Sequence, residues 1–244
     1  MPRETKTKKT KRARAVASAL AKAYPRSTCA LDHADPFQLL VATVLSAQTT
    51  DLAVNKVTQT LFARWPAPAA LAAAPLADVE RIIGSIGLWR AKAKNIRALS
   101  QQLVERFGGE LPRTVETLTS LPGVGRKTAT AVLGTSFGLA AGVTVDTHML
   151  RINDLLRLSR ATDADKMGRE LEAILPAAEW PGFTHRVIDH GRLVCVARRP
   201  RCGVCPLSSL CPSAFSAKAG YKPANDEAEP ASAKGLSWLA RSKA

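Results

Sequence analysis

Runs of alternating apolar and polar residues, the mark of a half-buried β-strand, are nearly missing from this chain of 244 residues, and its β-branched runs are short. That argues against a sheet-built fold. No repeat array is evident either. Behind the basic head Arg3 to Arg14 there is no apolar run of signal-peptide type. One uncharged stretch, Thr128 to Val145, approaches the length of a membrane span, but it holds three Gly and five Ser or Thr and follows directly on Arg126 and Lys127. It reads as a buried helix followed by a loop, so no membrane association is expected. Acidic residues are outnumbered, 20 Asp and Glu against 35 Lys and Arg, for a net charge of +15. Such an excess favours a polyanionic partner, nucleic acid ahead of a membrane surface.

Cysteine is sparse and odd in number. There are five, of which four crowd into residues 195–211. An odd, clustered set is wrong for the disulfide framework of a secreted protein and right for a metal site in a reducing cytoplasm. Cys29 stands apart and is expected to be structural.

What is present is helical. Apolar residues recur at helical spacing in Phe37, Leu40, Val41 and Val44, and again in Leu99, Leu103 and Phe107. Asp35-Pro36 opens one helix, Thr50 or Asp51 can cap the next, and Gly and Pro at 66, 68, 75, 84, 87, 108, 109, 112, 122 and 176 supply the breaks. Roughly ten helices with short connections follow, an all-α fold in which Arg90 to Arg106 presents a basic outer face. Residues 1–10 are expected to be a disordered basic head that adds nonspecific DNA affinity, though a transit peptide or a solvated tail has the same composition. Residues 215–244, polar and rich in Ala, Lys, Glu and Pro, are expected to be a disordered tail, with Leu236, Trp238 and Leu239 as its only possible anchors.

Two local patterns carry chemistry. In Leu121-Pro122-Gly123-Val124-Gly125-Arg126-Lys127, Pro122 ends one helix, and Gly123 and Gly125 permit positive φ and close backbone approach. A second helix then opens near Arg126, with free N–H groups able to bind a phosphate. Alone, this is equally a tight interhelical turn. Lys127 falls in the first turn, where the helix dipole and Arg126 both disfavour positive charge and so favour a nucleophilic amine. Nineteen residues on, Val143-Thr144-Val145-Asp146-Thr147-His148 begins another helix, with Asp146 placed to cap it. A carboxylate near Lys127 could also help deprotonate the amine and stabilise an oxocarbenium-like sugar.

Cys195-x6-Cys202-x2-Cys205-x5-Cys211 is the second pattern, four thiolates close enough in sequence to converge on one centre. Spacing alone does not separate zinc from iron–sulfur. A single C-x2-C pair with longer outer gaps favours a [4Fe–4S] cluster. The gap between the first two cysteines carries Arg198, Arg199 and Arg201, suited to DNA phosphates.

Together these motifs, with Leu45-Ser46-Ala47-Gln48-Thr49-Thr50-Asp51, closely resemble the endonuclease III family of helix-hairpin-helix DNA glycosylases over about residues 15 to 214. The resemblance implies a [4Fe–4S] cluster and two helical domains with a DNA-binding cleft between them. One is a six-helix bundle, 28–140, ending in the hairpin, and the other a cluster domain, 11–27 plus 141–214. It implies Lys127 as nucleophile, Asp146 as catalytic carboxylate, Gln48 filling the space left by a flipped nucleotide, Leu88 of Ile86-Gly87-Leu88 as a wedge, and pocket or DNA roles for Asp51 and His148. The implied activity is that of a bifunctional glycosylase and AP lyase acting on oxidised pyrimidines and abasic sites in double-stranded DNA. The cytoplasm is the expected location and a monomer the default state. The related adenine glycosylase lacks a lysine at the nucleophile position and carries a further domain. A noncatalytic DNA-binding iron–sulfur protein and a zinc-dependent nucleic-acid module are the rivals from other classes.

Overall fold

In the computed structural model, which describes residues 4–227, the chain forms eleven α-helices among the described residues and separates into two compact units. One is Cys29–Ala141. The other joins the residues up to Thr28 to those from Gly142 onward.

The middle unit holds α2 (Pro36–Leu45), α3 (Asp51–Arg64), α4 (Pro68–Ala72), α5 (Leu76–Ile83), α6 (Trp89–Phe107), α7 (Val115–Thr119) and α8 (Arg126–Phe137). That is seven helices where six were expected, two of them, α4 and α7, only five residues long. The expected starts hold. Asp35 caps α2 by accepting from the Gln38 amide at 2.9 Å, and Thr50 caps α3 by accepting from the Ala53 amide. α2 is apolar nearly all round, with Phe37, Leu39, Leu40, Val41, Val44 and Leu45 buried, and it packs against α8, α3 and α6 as the central element of this core. α6 lies against α4 and α5 through Ala93, Ile96, Leu99 and Leu103. Its face is not uniformly basic and solvated as expected: Arg90, Lys94 and Arg106 are exposed, but Lys92 is 4% exposed.

The other unit contains α1 (Lys6–Ala23), α9 (Thr147–Leu156), α10 (Ala164–Glu172) and α11 (Trp180–Leu193), followed by the cysteine-rich segment. α1 and α9 both pack on α11, burying Val16, Leu20, Met149, Ile152, Phe183 and Val187. The basic head is thus not disordered from residue 4 onward. Thr5 caps α1, and Arg12 is held by Glu4 at 2.7 Å and by the Leu156 carbonyl at 2.7 Å, so the basic residues begin a docked helix. The tail is likewise placed as far as residue 227. Asp226 accepts from the Gly203 amide at 3.0 Å and the Tyr221 hydroxyl at 2.9 Å, and the ring of Phe215 meets that of Tyr221 edge-on. The possible anchors Leu236, Trp238 and Leu239 lie outside the described residues. A two-residue antiparallel pair, β1 (Cys195–Val196) with β2 (Arg199–Pro200), is the one piece of sheet among the described residues, too short to leave a pattern in the sequence. Thr128 to Val145 comprises all of α8 beyond its first two residues and the loop that follows, and no described helix is long and apolar enough to cross a membrane.

Candidate active site and cluster centre

α7 and α8 are joined by a tight hairpin, Ser120 to Gly125, pinned by the buried side chains of Leu121 and Val124. Gly123 has φ 76°, and a Cβ there would lie 2.9 Å from Cβ of Asn95 on α6. Glycine is required twice over, for the left-handed backbone and for the close approach. Gly125 differs from expectation: its φ is −87° and no atom crowds it. It serves as the N-cap of α8 and offers no side-chain oxygen, so the first amides of α8 remain available to an anion. Arg126 and Lys127 stand exposed on that first turn.

Two further segments of the same unit carry strained backbone. Gln48 has φ 54° and Leu88 φ 58°, both left-handed, a conformation that costs an L-residue on the order of 1–3 kcal/mol. Both are exposed, Leu88 at 60%, an unusual state for a large apolar side chain at the mouth of a helix. They are close to one another, since a Cβ on Gly87 would come within 3.9 Å of the Gln48 carbonyl oxygen. Asp51 is the half-buried first residue of α3.

In the other unit, Asp146 caps α9, its Oδ1 accepting from the Met149 amide at 2.8 Å. The extended lead-in is held on both sides. The Val143 amide donates to Glu172 at 2.9 Å, the Thr184 hydroxyl donates to the Thr144 carbonyl at 2.9 Å, and Val143 and Val145 are buried. His148 is half-buried against α11, where a Cβ on Gly191 would fall 2.6 Å from its Nδ1. Arg198, on the turn between β1 and β2, and Arg199, the first residue of β2, are exposed. Arg201 is not presented with them, because its guanidinium turns inward and donates to the Asp226 carbonyl at 3.0 Å.

Cys195, Cys202, Cys205 and Cys211 are all free thiols and line a single cavity, otherwise walled by residues such as Ile152, Leu155 and Leu207. Four thiols lining one cavity give the donor set of a thiolate-bound metal centre. Burial pushes the Cys205 thiol up to about 12 and raises Cys195 and Cys211, the neighbouring sulfurs adding to each rise. Thiolates so placed need a bound cationic centre to hold their charge. The surroundings also supply donors to sulfur: Arg151 to Cys195 at 3.6 Å and the Leu207 amide to Cys205 at 3.4 Å. His190 lies 2.9 Å from the Tyr24 hydroxyl through Nδ1 and 3.6 Å from Cys205 Sγ through Nε2. Burial lowers its pKa to about 4, so the ring is neutral at neutral pH. Both contacts are hydrogen bonds when Tyr24 donates to Nδ1 and Nε2–H donates to sulfur.

Residues 41–177 match the HhH-GPD superfamily of base excision DNA repair proteins, and residues 195–211, which span the four cysteines, match the iron–sulfur binding domain of endonuclease III. The fold and its hairpin therefore define a helix-hairpin-helix base excision repair protein that carries a [4Fe–4S] cluster. Endonuclease III of Synechocystis sp. is 50% identical over 206 residues, which cover 84% of this chain and 94% of that one. A non-covalent endonuclease III–DNA complex superposes with a TM-score of 0.77 at 43% identity, and a trapped endonuclease III–DNA covalent intermediate with 0.77 at 42%, each covering 84% of this chain and 96% of the other. The chain belongs to the endonuclease III family.

Gly123→Ala is expected to destabilise the protein by about 1–3 kcal/mol, and Gly125→Ala by less than about 1 kcal/mol, in thermal unfolding. Replacing Cys202, the most buried of the four thiols, by Ser should strip the purified protein of most of its iron and of its yellow-brown absorbance, read by iron assay and visible spectroscopy.

Proposed function

We propose that this protein excises oxidised pyrimidines from double-stranded DNA in the cytoplasm, acting as a monomer, and then cuts the strand 3′ to the abasic site. Lys127 is the nucleophile and Asp146 the catalytic carboxylate. The observation that carries the reading is the lysine itself, exposed on the first turn of α8 immediately beyond a hairpin whose amides can take a phosphate. Lys127 Nζ attacks C1′ of the damaged nucleotide as the bond to the base breaks, and the Asp146 carboxylate stabilises the oxocarbenium-like sugar. Opening of the sugar ring leaves a Schiff base. Loss of a proton from C2′ then expels the 3′ phosphate, and water releases the amine.

Gln48 and Leu88 enter the duplex where the nucleotide is extruded. An exposed leucine and an exposed glutamine, each held in a strained backbone and adjacent to one another, support that use, because strain is retained where it serves a site. Arg126 and the exposed Arg198 and Arg199 hold phosphates. The four cysteines hold the cluster, which would tie down the segment that presents Arg198 and Arg199.

The test is incision of duplex DNA bearing one thymine glycol. Lys127→Gln should lose strand cleavage by a factor of about a thousand or more, and Asp146→Asn should lose base removal by about a hundredfold, with folding unchanged by circular dichroism. Full strand cleavage by the Lys127 variant would overturn the lysine mechanism. Wild-type protein that binds abasic DNA without cutting it would mark a binding-only role.

A further inference from the structure

Lys92 is a buried cation that the proposed reaction does not use. It sits one turn into α6, 4% exposed, and burial lowers its pKa. A buried ammonium is costly unless its protons are taken up, and here the ammonium nitrogen donates to the Ala47 carbonyl at 2.7 Å and to the Thr49 hydroxyl at 2.8 Å. These two acceptors belong to the residues on either side of Gln48. The backbone amide of the same lysine donates to the Leu88 carbonyl at 3.0 Å.

One residue thus grips both strained segments, Ala47–Thr49 through its side chain and Leu88 through its main chain. All of these contacts lie within the unit Cys29–Ala141. The left-handed residues Gln48 and Leu88 have no glycine to relieve them, so their geometry persists only where neighbouring bonds over-determine it. The α6 end is fixed by ordinary helix hydrogen bonding. The turn Ser46 to Thr50 has fewer internal bonds, chiefly the Thr49 amide to the Ser46 carbonyl at 3.0 Å, and so depends more on the lysine.

We infer that Lys92 is a positioning residue that couples the two inserting elements, holding the Gln48 turn in register with Leu88 so that both enter the base stack as one rigid wedge. This rests on the roles proposed above for Gln48 and Leu88. Lys92 touches neither the reacting atoms nor the lysine nucleophile in this account. Its loss should therefore matter in proportion to how much base-pair opening the substrate demands.

The experiment compares single-turnover excision of thymine glycol paired with adenine in a duplex against the same lesion inside a three-base mismatched bubble, for wild type, Lys92→Met and Thr49→Val. Methionine keeps the length of the side chain and removes its donors, and valine keeps the shape of threonine and removes the acceptor. Lys92→Met should be slowed about tenfold or more on the paired lesion and less than about twofold in the bubble, with Thr49→Val shifted in the same direction by about threefold. Should Lys92→Met fail to fold, the ratio measured for Thr49→Val decides alone. Equal losses on both substrates, or none on the paired lesion, would overturn the coupling while leaving the glycosylase reading intact. A wild type inactive on both substrates would overturn that reading and this inference with it.

Discussion

The placement of the reactive lysine depends on one close approach, the backbone of Gly123 against the side chain of Asn95. Where a Cβ would fall, Asn95 already stands at 2.9 Å, so the hairpin reaches α6 only because residue 123 has no side chain. That contact, with Leu121 and Val124 buried on either side, fixes where the chain turns and hence where α8 begins. Lys127 then has no freedom of position beyond its own side chain. The central helix α2 supports the arrangement from the other side by packing on α8 and α6 together.

The two units solve the same problem by different means. In the middle unit a helical core holds short, strained segments in place, and the strain at Gln48 and Leu88 is offset by packing and by the buried Lys92. In the other unit the cysteine segment has little regular structure of its own, and its order comes from α1, α9 and α11 around it, from donors aimed at sulfur, and from residues 215–227 folding back onto it. Metal binding supplies the remaining cohesion in such a segment, since the four thiols form no disulfide with one another.

Much of this was legible because the chemistry is written in short, local patterns. The cap at Asp35, the helix start at Arg126, Asp146 at the head of α9 and the four cysteines follow from residue type and spacing. What escaped has long-range causes. Lys92 lies among basic residues on a helix and reads as solvated, and only its burial against Ala47 and Thr49 distinguishes it. Arg201 reads like Arg198 and Arg199, but a carbonyl twenty-five residues away turns it inward. The head reads as a solvated basic arm because nothing in its composition announces that Arg12 will find Leu156. Gly125 shares a motif with Gly123 without sharing its backbone. Residues 215–227 have the composition of a tail, yet Asp226 ties them to the cluster loop by accepting from the Gly203 amide and the Arg201 guanidinium, contacts that no periodicity signals.

The central claim is that a particular amine, at the head of α8, forms the covalent bond to DNA. Borohydride reduction of the wild-type protein with thymine-glycol duplex, followed by proteolysis and mass-spectrometric mapping of the sugar-modified residue, tests it directly, because reduction fixes the Schiff base where it formed. The account predicts modification at Lys127. An adduct mapped to Lys92, to the chain's α-amino group or to any other amine would contradict it.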